Sequence, residues 1–179
     1  MTDSQTSRIG PTTAAPADFY DPAARPEYFS GVLARRIMAF LLDAVIVALP
    51  VLFAVLFIFL FGLVTFGLGW FLYWLLPAGT AIWAVLYYGL CFGSPASATL
   101  GMRLMEIEMR TTYGGRAYFL LGAVHAVIYW ISVSALTPLI LLVGLANARG
   151  RLLHDFLLGT VVVNNEARAQ ALRRTHLPV

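Results

Sequence analysis

The chain has no lysine and only one cysteine, Cys91, in its 179 residues. Without lysine there is no Walker A phosphate loop, no Schiff-base or pyridoxal chemistry and no protein-kinase site. A lone cysteine excludes an internal disulfide and any multi-cysteine metal site. Charge of either sign is scarce. Charged residues make up 12% of the chain, against about 25% in soluble domains. The 59 residues from Ala44 to Met102 carry no charge at all, and 60% of the chain is hydrophobic. A chain this short cannot cover that much apolar surface in water, so the expected class is an integral membrane protein. What charge there is comes mostly as arginine, giving a formal +3 and a pI near 9.3. That balance fits cytoplasmic edges beside anionic lipid. The arginines form no single stripe, so no nucleic-acid partner is expected.

Residues 1–28, with Pro11, Pro16, Pro22 and Pro26 among small polar residues, read as a disordered cytoplasmic tail. They lack the apolar core of a secretory signal. Arg35-Arg36 is not read as a twin-arginine signal, because the run behind it contains Asp43. A first span is expected over 37–61, ~37 Å of helix and enough to cross a ~30 Å apolar core. Gly62 to Gly69 reads as a tight turn, and a second span over 70–92 is bent near Pro77 and Gly79. Trp70, Trp74, Tyr87 and Tyr88 read as interfacial belts. In the polar loop from Gly93 to Arg116, the near-alternation of Leu104 to Met109 predicts a short strand. Thr160 to Val163 is a second β-prone run, and the two are expected to pair. The third apolar block, 117–146, is too long for one span and too short for two full ones. Arginines precede the first span, lie in the polar loop and follow the third block, and placing all three groups in the cytoplasm calls for an even number of crossings with both termini cytoplasmic. A bent or re-entrant hairpin is favoured, with one long tilted span as the alternative. Residues 166–179 read as a cytoplasmic C-terminal tail.

Asp43 is the most informative residue, a carboxylate one or two turns inside an apolar helix. Arg36, seven positions earlier, shares its face about 10 Å away. Asp43 is read either as a proton or cation site or as an anchor for helix packing through an arginine. His154 and Asp155, with Arg151 before them and Thr160 after, form a second polar cluster at the inner interface. That pair reads as a helix cap tied to an arginine. No metal is expected there, because adjacent ligands rarely converge on one ion. His125 reads as hydrogen-bonded to another helix. No catalytic residue is expected, since no nucleophile has a credible base.

These blocks resemble the RDD family of small bacterial membrane proteins. The segment Tyr28 to Asp43 is similar to the family's Gly…Arg-x-x-Ala-x-x-x-Asp opening. Arg151 to Val163 is similar to its His-Asp-x-x-x-Gly-Thr-x-Val close, and Thr99-Leu-Gly-Met-Arg-Leu104 to its loop. By that match Arg36, Asp43 and Asp155 are the residues for which the family is named. Met102 stands where the family usually has lysine, Glu106 where glycine is common, and His125 where many members have an arginine. The resemblance implies a transport role, with cation–proton exchange among the suggestions.

The expected fold is an all-α polytopic protein of the cytoplasmic membrane: a helical hairpin, a bent or re-entrant third or fourth helix, and a small two-stranded cytoplasmic element. Its polar centre is expected to gather Arg36, Asp43, Arg103, His154 and Asp155, with His125, Arg151 and Thr160 around them. The expected function is transport of a proton or cation around Asp43, without cofactor. The alternative is a non-transporting accessory, assembly or scaffold protein in which the cluster is structural. The bilayer is an expected partner, and so is a second copy or another membrane protein.

Overall fold

Beyond Asp43 nothing in the first apolar run interrupts helical hydrogen bonding except Pro50, and the helix runs through it. Helix α1 spans Val32–Val64, entered from Gly31 in the left-handed region at φ 70°. It is longer at both ends than the expected 37–61. Thr65 stops it by donating its hydroxyl to Phe61 O at 2.7 Å and accepting from Gly69 N–H at 2.7 Å. The chain then forms a 3-10 helix, Leu68–Trp74, and helix α2, Leu76–Phe92, with a 47° bend between them. Pro77 lies in the first turn of α2, where its missing N–H is harmless. The computed structural model describes residues 21–136 and 151–176.

By length and composition α1 can cross a membrane, and the bent pair passes the same test when taken together. Val45, Leu52, Phe53, Phe57 and Leu60 on α1 are all exposed, a surface suited to lipid rather than water.

Helix α3, Leu100–Leu104, is capped by Thr99, whose hydroxyl accepts from Met102 N–H at 3.1 Å. The expected strand at 104–109 begins later, because this cap holds residues 100–104 helical. Strand β1 is Ile107–Thr111, followed by helix α4, Phe119–Leu136, and helix α5, Leu153–Leu158. Strand β2, Thr160–Asn164, pairs antiparallel with β1, placing Ile107 opposite Asn164 and Thr111 opposite Thr160. The pairing of these two β-prone runs is as expected. Ile107, Met109 and the whole of β2 are buried. The choice between three and four crossings turns on residues 137–150, which lie outside the described residues. So does residues 1–20 of the expected tail.

The end of that tail is ordered. Pro26–Tyr28 is a 3-10 turn with Tyr28 buried. Residues 166–176 are also not a loose tail but helix α6, Glu166–His176. Tyr28 donates its hydroxyl to Glu166 at 2.5 Å, Arg173 pairs with Glu27, and Asn164 donates its amide to Glu27 O and Ser30 O. These contacts fasten the 3-10 turn and α6 to the small sheet.

Helices α2 and α4 lie in close contact because glycine permits it. A Cβ on Gly122 would stand 2.6 Å from Phe92 Cβ, well inside van der Waals contact.

Candidate functional site

Among the described residues two carboxylates, Asp43 and Asp155, are fully buried, and different donors hold them. Asp43, on α1, is 3% exposed. Its Oδ1 accepts from the Tyr87 hydroxyl at 2.6 Å and from Gly101 N–H at 2.8 Å, and its Oδ2 accepts from the Thr99 hydroxyl at 2.6 Å. Thr99 and Gly101 present these donors because the cap of α3 turns them toward α1. The approach depends on glycine, since a Cβ at Gly101 would stand 2.3 Å from Ala39 O and 2.9 Å from Asp43 Oδ1. All three donors are neutral.

Asp155 is fully buried in the first turn of α5. Its Oδ2 accepts from Leu152 N–H at 2.9 Å, capping the helix, and pairs with Arg36 Nη2 at 2.7 Å. Its Oδ1 faces His125 Nε2 at 3.1 Å, the Thr160 hydroxyl at 3.3 Å and His154 Nε2 at 3.6 Å. Arg151 donates to the Asp155 carbonyl at 2.9 Å and lies over the Phe156 ring. Burial alone pushes the Asp155 carboxyl up, yet Arg36 and the two histidines hold it well below the usual carboxylate range. His154 is pushed down to about 3, first by burial and then by the nearby charges of His125 and Arg36, against the pull of Asp155. Asp155 is therefore ionised and His154 neutral at pH 7.

A cavity of about 320 Å³ joins the two clusters. Arg36, Asp43, Tyr88, His125, Tyr129 and His154 all contribute to its wall. Its wall is mostly apolar, with these polar groups set into it.

At Tyr87 and Tyr88 the expected aromatic belt is corrected, and at Arg103 the expected polar centre. Arg103 does not join it: the side chain is exposed and donates to Ala98 O at 3.1 Å and Ser94 Oγ at 2.7 Å. Arg36 forms its ion pair with Asp155, although the helix places it on Asp43's face. Tyr87 and Tyr88 are not a surface belt but buried, and Tyr87 holds Asp43. The sequence reading left Tyr87, Thr99 and Gly101 out of the site. The one local signal was the Thr-x-Gly spacing at a helix start, which offers a hydroxyl and an unobstructed N–H to an incoming carboxylate. His125 and Thr160 both reach Asp155, and Arg151 reaches its backbone.

A model described as RDD family matches residues 31–159. No curated protein and no solved structure matches the chain.

Proposed function

The chain belongs to the RDD family, and from that premise we propose that it is a multi-pass protein of the cytoplasmic membrane that moves a proton or cation through a site at Asp43. The family and the long apolar helix point to a membrane protein. The observation that carries the finer reading is a buried carboxylate held, among the described residues, by neutral donors, on the wall of a cavity that Arg36, His125 and His154 also line. A carboxylate at membrane depth that no cation touches among the described residues is an arrangement suited to take up a proton or a cation. Arg36, on the same wall, is engaged by Asp155 and sets the potential of the cavity without neutralising Asp43 directly. On this reading both termini are cytoplasmic. The transporting unit is an oligomer, or a complex with another membrane protein, because three or four crossings are few for a complete path.

The test is proton-coupled cation flux in proteoliposomes. Flux lost in Asp43→Asn and retained in Arg103→Gln supports the proposal, and unchanged flux in Asp43→Asn contradicts it.

A second reading has its own support. Asp43 ties α1 to α2 and α3, while Asp155 ties α1 to α4 and β2, so both could serve as clamps in a non-transporting module. That reading expects lower stability in Asp43→Asn, and no flux in the wild type.

A further inference from the structure

We propose that His125, His154 and Asp155 form a three-ligand site for a divalent first-row transition metal ion, best matched by Zn²⁺. Their candidate ligand atoms all lie within 4.8 Å of one another, and all three residues are buried. Asp155 Oδ1 is the shared vertex, 3.1 Å from His125 Nε2 and 3.6 Å from His154 Nε2. Ligands at 2.0–2.1 Å from a tetrahedral Zn²⁺ stand about 3.3–3.4 Å apart. Two edges of the tetrahedron are therefore nearly at length, and a small ring rotation brings in the third.

The state of His154 is an independent reason to place a ligand there. Its ring is 1% exposed, Nδ1 has no hydrogen-bond partner among the described residues, and Nε2 stands beyond hydrogen-bond length from Asp155. The imidazole is held instead by edge-to-face contact with His125 and Tyr129, with centroids 4.7 and 5.1 Å away. A buried ring nitrogen without a partner is unfavourable, and it is Nδ1 that lacks one, so ligation through Nδ1, after a turn of the ring, removes that penalty. His125 contributes Nε2 once its ring proton resides on Nδ1.

The carboxylate is already oriented for one-oxygen ligation. Arg36 and Leu152 N–H occupy Oδ2, while Oδ1 accepts from the Thr160 hydroxyl at 3.3 Å and turns its other lone pair to the two imidazoles, with outer hydrogen bonds of the kind common at metal sites. His125 and His154 both line the cavity, so a fourth position opens into a space that can hold water. Two imidazoles and one carboxylate favour Zn²⁺, Co²⁺, Ni²⁺ or Cu²⁺ over Mg²⁺ and Ca²⁺.

The test uses the full-length, tag-free protein in detergent, stripped with chelator and titrated with Co²⁺. The expected result is one equivalent bound, with visible absorption of a four-coordinate ion that Zn²⁺ abolishes and Mg²⁺ does not. His125→Ala and His154→Ala should each weaken binding at least tenfold, and His176→Ala should leave it unchanged. No saturable Co²⁺ binding by the wild type, or wild-type affinity in His154→Ala, overturns the proposal. X-ray absorption of the Zn²⁺-loaded wild type covers variants that fail to fold: two imidazole nitrogens per ion support the site, and none overturns it.

Discussion

Arg36 Nη2 lies 2.7 Å from Asp155 Oδ2, so an arginine near the start of α1 is neutralised by a carboxylate near the far end of the chain. This pair closes the helices over the two-stranded sheet, and it leaves Asp43, one face-repeat further along α1, to neutral donors. Removing one partner of a buried ion pair costs about 3–5 kcal/mol, because the other charge is left uncompensated. Arg36→Gln and Asp155→Asn should each lower thermal stability in detergent by that order. The double variant should be less destabilised than the sum of the two. Strict additivity in the unfolding midpoints would show that the two groups are not coupled.

The Asp43 pocket makes a steric prediction of its own. A methyl group at Gly101 would press on Ala39 O and Asp43 Oδ1, so Gly101→Ala should cost at least ~1–3 kcal/mol, the usual range for overpacking. Thr99→Ala should cost about 1 kcal/mol or more through its lost hydrogen bond to Asp43, and Thr99→Ser should restore most of it. Thermal unfolding of the three variants in one detergent checks the set. Gly101→Ala as stable as the wild type would mean that α3 does not rest on α1 in this way.

Much of this arrangement was legible in the sequence, and for identifiable reasons. Asp43 and Asp155 stand out because each interrupts an apolar run, and burial of a carboxylate demands partners. Strands β1 and β2 were legible as two isolated β-prone runs that needed each other. Tyr87 was not legible as a partner of Asp43, since nothing local distinguishes an aromatic that donates inward from one that marks the interface. Arg36 was assigned to Asp43's surroundings by helical spacing, which reports a shared face but not which neighbour occupies it. The meeting of His125 with His154 was hidden for a similar reason. Adjacent His154 and Asp155 supply only two ligands, and the third enters from α4, thirty positions away in sequence.

The attachment of α6 should depend on pH. Burial pushes Glu27 up, but the Arg173 hydrogen bond and charge outweigh it, and Glu27 lies below its ordinary 4.5. Glu166 also lies below it, held there by donors from Tyr28 and Gln170. A carboxylate lowered in the folded state stabilises that state above its ordinary value, and the contribution is lost as pH falls through the lowered one. Amide protection in α6, corrected for intrinsic exchange, should therefore hold at pH 6 and fall progressively below about pH 4.5. Protection unchanged down to pH 3 would contradict the role given to these two glutamates.

The role given to Asp43 is tested most directly by counting protons. Purified protein in weakly buffered detergent solution, mixed with a monovalent cation such as Na⁺, should release protons in a saturable way if Asp43 exchanges one for the other. The account predicts that Asp43→Asn abolishes this release while Arg103→Gln leaves it intact. Release of the same size in Asp43→Asn would contradict it.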